Sequence, residues 1–97
     1  LVVVTGEFGR TYKINKNAGR DHWSKLSPLL LAGGDFEMGR VIGESTSKAE
    51  EPKTQPITPQ NVTATLFKHF NIDQHTQKID PAGRPRYFLE TGTESIL

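Results

Sequence analysis

The sequence predicts an α/β fold with a mainly parallel sheet, and three observations carry that prediction. Leu1-Val2-Val3-Val4-Thr5 is a continuous apolar run rich in β-branched residues, and Pro28-Leu29-Leu30-Leu31-Ala32 is a second apolar run stopped by Gly33-Gly34. Pro59 to Phe70 carries helical periodicity. Strands covered on both faces of a parallel sheet read as unbroken hydrophobic runs, whereas half-exposed strands alternate. Both runs are of the unbroken kind.

Taken in order, Leu1 to Thr5 is the first expected strand, ending at Gly6. Gly6 to Lys25 (GEFGRTYKINKNAGRDHWSK) has neither helical nor strand periodicity and reads as a long loop. Loops of that length inside a compact domain are uncommon unless they carry function or are disordered. Pro28 suits the first position of the second strand, where its missing N–H costs no ladder bond. Asp35 to Gly43 suggests a short strand or hairpin near an edge. Glu44 to Pro56 is polar, holds two prolines and reads as an exposed surface loop within one domain spanning residues 1–97. Thr58-Pro59 then supplies a hydroxyl N-cap followed by proline at the first helical position, and Val62, Leu66 and Phe70 follow at i, i+4 and i+8. The helix is expected to end before Asn71, a residue suited to a left-handed cap. Asp73 to Leu97 reads as loop, with Tyr87-Phe88-Leu89 its one strand candidate.

Composition narrows the function classes. Twelve Lys and Arg against eleven Asp and Glu leave a net charge of +1, too balanced for the basic footprint of a nucleic-acid binder. No stretch approaches the ~18 apolar residues of a transmembrane helix. Cysteine is absent, which removes disulfides, thiol nucleophiles and Cys-based zinc sites, so any metal would be held by His, Asp and Glu. The chain opens on Leu1 inside its most apolar run, without a charged n-region leading an apolar h-region, and is expected to be the C-terminal piece of a longer chain. With one convincing helix to cover an apolar strand, the isolated chain is expected to be marginally stable and to self-associate.

The chemistry-bearing residues gather in the loop after the first strand: Glu7, Arg10, Asn15, Arg20, Asp21 and His22. In a parallel arrangement Glu7 would sit just past the carboxyl end of a strand, where open α/β sheets place ligands. His22 is flanked by Asp21, which can supply an oxygen or orient the imidazole, and by Trp23, which can supply a dry wall. Glu7, Arg10 and His22 are therefore expected close together, forming half of a metal and anion site. Other matches fail. Gly34 to Gly39 has phosphate-loop spacing, but Arg40 and Val41 stand where Lys and Ser or Thr are needed. Asn61-Val62-Thr63 is a glycosylation triplet inside an expected helix. His69 and His75 match no zinc spacing, and Pro59 of the Pro56/Pro59 pair is better explained as a helix start than as a polyproline ligand.

The ordered series VVVTGEFGRT, KIN, GRDHW, PLLLAGG, RVIG, ITPQNVTATLF and FNID resembles the C-terminal region of the bacterial sulfatase-like proteins grouped as domain of unknown function 1501. The resemblance implies an alkaline-phosphatase-like α/β sandwich with a metal-dependent site at its strand ends. It implies export to the periplasm or beyond, and a small-molecule or polysaccharide sulfate or phosphate ester as substrate. In that superfamily a strand ending in an Asp-His pair ligates one metal, and a later His just before another strand ligates the second. Glu7 falls near the Asp position, Phe8 replaces the paired His, and His22 matches the later His. Tyr12 and Ser24 stand where proline is expected. The implied roles are metal ligation, by zinc or calcium weakly held, for His22, Glu7 and Asp21, and bidentate anion binding for Arg10 and Arg20. The superfamily's nucleophile is not in this chain, so the chain alone is expected to be inactive. The competing reading is a non-catalytic binding or structural protein that kept the fold, which Phe8 favours.

Overall fold

The connection between the two apolar runs decides how they pair. Parallel neighbours need a crossover, usually a helix, whereas antiparallel neighbours can be joined by a loop. The computed structural model, which describes residues 1–97, has no helix between the runs. Strand β1 (Val2–Thr5) accordingly pairs antiparallel with a strand at Leu29–Ala32, in the register Val2↔Ala32, Val3↔Leu31, Val4↔Leu30 and Thr5↔Leu29. Inside the intervening loop, β2 (Gly9–Arg10) and β3 (His22–Trp23) form a second antiparallel pair, which makes Leu29–Ala32 strand β4. The expectation of a mainly parallel α/β sandwich is thus overturned: every strand pair is antiparallel and two-stranded, and a single short helix accompanies them. An apolar run reports how much a strand would bury and is silent on the direction of its neighbour.

The chain divides into two compact units, Leu1–Pro56 and Ile57–Leu97. In the first, no residue is fully buried. Alternation along β1 is visible as Val2 57%, Val3 38% and Val4 57% exposed. Cross-strand partners share a face, so Val3 and Leu31 lie on the better-covered side, while Val2, Val4 and Leu30 face solvent. The short strand expected within Asp35–Gly43 is not formed, and Val41 there is 97% exposed. Residues 44–56 are largely exposed yet ordered by the Ser45↔Pro52 bridge and the Thr46 N to Glu51 O bond of 2.9 Å. This segment closes onto β3. The Trp23 indole N–H donates to the Glu50 carbonyl at 2.7 Å, and Lys25 pairs with Glu51.

In the second unit, helix α1 (Pro59–His69) starts where the cap signals place it. The Thr58 amide donates to Asn61 Oδ1 at 2.8 Å, so the side chain at the third helical position reaches back to the cap. Its end is a Schellman motif: Ile72 N donates to Phe67 O at 2.8 Å and Asn71 N to Lys68 O at 3.2 Å, with Asn71 left-handed at φ 54°. The apolar stripe is not the buried face. Ala64 and Thr65 are buried, Val62 and Leu66 half-buried, and Phe70 is 64% exposed. The reason is the chain's own tail. Thr65 Oγ1 accepts from Ile96 N at 3.0 Å, Asn61 Nδ2 donates to Glu94 O at 2.9 Å, and Lys68 Nζ donates to Leu97 O at 2.7 Å. Beyond the helix, where the sequence reads as loop, β5 (Gln77–Ile79) and β6 (Pro85–Tyr87) form an antiparallel hairpin.

Candidate functional site

Asn15 organises the loop that holds the candidate residues. Its Oδ1 accepts from Asn17 N at 2.9 Å and Gly19 N at 3.0 Å, and its Nδ2 donates to Asp21 Oδ1 at 2.9 Å. The Asn15 N to Gly19 O bond of 2.8 Å closes the same turn, with Ala18 left-handed at φ 57°. Thr11 N donates to Asp21 O at 3.0 Å, continuing the β2–β3 ladder. The result is a short hairpin whose tip is fixed by side chains, a local solution to backbone groups that no larger sheet satisfies.

Gly9 anchors its base. A side chain there would place Cβ 2.1 Å from the Leu26 carbonyl oxygen, so only glycine lets the Leu26 backbone pass this closely.

The register sets Arg10 directly opposite His22. The two side chains therefore share one face of the ladder, and both residues are exposed. The Phe8 ring lies on the His22 ring with centroids 4.0 Å apart at 32°, and the Arg10 guanidinium lies 5.7 Å from the Phe8 centroid. Imidazole, phenyl ring and guanidinium thus form one cluster, with the Arg10 Nη1 donating to the Arg20 carbonyl at 3.1 Å. The imidazole nitrogens have no protein partner and stay available to a ligand.

The remaining candidates are placed differently. Arg20 folds back along its own loop, its Nη1 donating to Thr11 O at 2.7 Å and to Tyr12 O, and so holds the loop together. Asp21 spends one carboxylate oxygen on Asn15. Glu7 is exposed between β1 and β2 and pairs with no residue. It follows the carboxyl end of β1, but the antiparallel pairing puts it beside the amino end of β4, not beside a second carboxyl end. No three His, Asp or Glu side chains come together as a metal-holding group.

The structure also assembles a group that sequence reading passed over. Asp80 Oδ1 accepts from Ala82 N at 2.9 Å and Arg84 N at 3.0 Å, while its Oδ2 accepts from Arg84 Nε at 3.0 Å and Arg86 Nε at 3.3 Å. The Arg84 amide, chief among these donors, holds the Asp80 carboxyl below its ordinary range. The available signal was Asp80-Pro81-Ala82-Gly83, a turn sequence with Gly83 at φ 78°, followed by arginines two residues apart.

No curated protein and no solved structure matches the chain. The model of one family, proteins of unknown function grouped as DUF1501, matches residues 1–96. With nearly every residue covered by that match, the chain belongs to the DUF1501 family.

Proposed function

We propose that the chain contributes the anion-recognising part of a sulfatase-like or phosphatase-like hydrolase of sulfate or phosphate esters. The observation that carries this reading is the direct opposition of Arg10 and His22 on an exposed ladder face. A guanidinium offers paired N–H donors to a tetrahedral oxyanion, and a partner-free imidazole beside it can donate to the same group or accept a proton from it. Arg20 orients this pair through the loop carbonyls it holds, and its remaining N–H groups add positive field. Because the three carboxylate and imidazole candidates do not gather, a metal belongs to this reading only with ligands supplied from outside these residues, His22 offering one neutral donor. The nucleophile likewise comes from elsewhere.

The second reading, a binding protein that kept the family fold without catalysis, is favoured by the Phe8 ring lying 4.0 Å from the His22 ring. That stacking gives His22 a structural task as well.

The two are separated in the longest natural form of the protein, using p-nitrophenyl sulfate and p-nitrophenyl phosphate. The hydrolase reading expects His22→Ala and Arg10→Gln each to lower kcat/KM roughly 100-fold or more, on the scale typical of acid–base groups, with little change in melting temperature. Turnover unchanged in both variants overturns it. A melting point lowered by several degrees at unchanged turnover supports the structural role.

A further inference from the structure

The β5–β6 hairpin has one blunted edge and one open edge. Antiparallel partners alternate between pairs that exchange both backbone bonds and pairs whose N–H and C=O groups point away from the ladder. Asp80 N donates to Arg84 O at 2.9 Å and Phe88 N to Thr76 O at 3.5 Å, so Asp80–Arg84, Lys78–Arg86 and Thr76–Phe88 are the bonded pairs. Gln77–Tyr87 and Ile79–Pro85 therefore turn their backbone groups outward. On β6 one of these outward residues is Pro85, which has no N–H to offer an arriving strand. On β5 both Gln77 and Ile79 hold out an N–H and a C=O, both residues are exposed, and no other backbone of the chain reaches them.

The two faces flanking that open edge differ in chemistry. Lys78, Asp80, Arg84 and Arg86 share one face, where Arg84 Nε and Arg86 Nε donate to Asp80 Oδ2 at 3.0 and 3.3 Å. One carboxylate thus offsets three cations, and the Lys78 ammonium has no partner. The arginine side chains are 64% and 62% exposed. Lys78 also stands directly opposite Arg86, and like charges in that relation are unfavourable. The other face carries Ile79, itself 62% exposed. A lysine on an edge strand deters a neutral strand from pairing there, but a carboxylate arriving beside it reverses the sign of the interaction.

We propose that the open edge of β5 takes up an extended segment of a partner protein as a third, antiparallel strand, and that this segment alternates acidic with apolar residues. Its backbone bonds to Gln77 and Ile79. Its carboxylates fall on the face of Lys78, Arg84 and Arg86, and its apolar side chains fall beside Ile79. Main-chain bonds of this kind supply affinity, and the alternating side chains supply selectivity. The segment's charge relieves the Lys78–Arg86 opposition that the hairpin alone leaves standing. The proposal shares no residue with the Arg10–His22 ladder and is independent of the hydrolase reading.

The test is an NMR titration of the full chain with a capped hexapeptide alternating Glu and Val. The Gln77 and Ile79 amides are expected to shift downfield and to gain exchange protection, because they receive the new bonds, while the Lys78 amide, already bonded across the ladder, changes less. A hexapeptide of the same composition with Glu and Val in separate blocks, and one with Lys in place of Glu, are expected to bind at least roughly tenfold more weakly. Lys78→Glu, which breaks no bond within the protein, is expected to weaken the Glu-Val peptide roughly tenfold and to bring the Lys-Val peptide level with it, without lowering the melting temperature. N-methylation of the peptide's Val amides, which face β5 in the antiparallel arrangement, is expected to abolish binding, and N-methylation of its Glu amides to leave binding unaltered. Equal binding of the alternating and block peptides would reduce the effect to charge attraction and overturn the proposal. Binding that survives methylation of the Val amides, or shifts confined to Arg84 and Arg86, overturns it as well.

Discussion

Gly9 shows how one residue settles the geometry of the candidate site. With the Leu26 carbonyl 2.1 Å from where a Cβ would stand, Gly9→Ala must push β2 away from the following chain. Arg10 is the next residue, so the shift moves the guanidinium relative to His22. Gly9→Ala is expected to destabilise the β2–β3 ladder by roughly 1 to 3 kcal/mol, the usual cost of overpacking, and to weaken the Phe8–His22 ring contact. Ring-current shifts of the His22 protons report this directly; shifts identical to wild type would show that the ladder gives way without cost. The same scale separates the arginines. Arg10 and Arg20 look equivalent in sequence, each preceded by glycine. Only the fold reveals that Arg20 spends its guanidinium on Thr11 and Tyr12 while Arg10 lies across Phe8.

At the scale of elements, local signals are legible in the sequence and strand pairing is not. Thr58-Pro59 and Asn71 mark both ends of α1 because caps act within a few residues. The two apolar runs mark β1 and β4, yet the direction of these strands depends on the connection, and the tiny β2–β3 ladder inside it depends on Asn15 and Gly9, which carry no periodic signal. The β5–β6 hairpin is largely hidden for a related reason: Gln77-Lys78-Ile79 and Pro85-Arg86-Tyr87 are all exposed, and the one strand candidate there, Tyr87-Phe88-Leu89, overlaps β6 only at Tyr87. Asp80 ties its turn to both arginines through the bonds it accepts. A carboxyl whose pKa is lowered by folding contributes stability that is complete above the ordinary aspartate range, near ~4, and is lost as pH falls through the lower folded value. The hairpin is therefore expected to keep its strand-like amide shifts at pH 5 to 7 and to be weakened on acidification below ~4. Asp80→Asn should abolish that transition. A hairpin indifferent to pH down to ~2 would place its stability elsewhere.

At the scale of the whole chain, area decides what the fold can sustain. The accessible surface is 7690 Å². Two independently compact units of residues 1–56 and 57–97 would together expose only about 6,700 Å² on the usual size scaling. In the first unit no residue is fully buried, and Val2, Val4 and Leu30 are each more than half exposed. A two-stranded sheet of this kind is marginal in water, and β1 and β4 both present a free outer edge. The second unit differs, because Ala64, Thr65 and Leu89 are buried and the tail is bonded along α1. Amide exchange should reflect this order, with the β1–β4 amides exchanging at least roughly tenfold faster than those of Thr65 to Phe70 in dilute solution. Raising the protein concentration should slow the β1–β4 amides selectively as open edges and the Val2–Val4–Leu30 face are covered by other copies. Sedimentation of the same samples supplies the check. A strictly monomeric chain whose β1–β4 amides are as protected as the helix would mean that the four-residue strands hold themselves, against the area they leave in water.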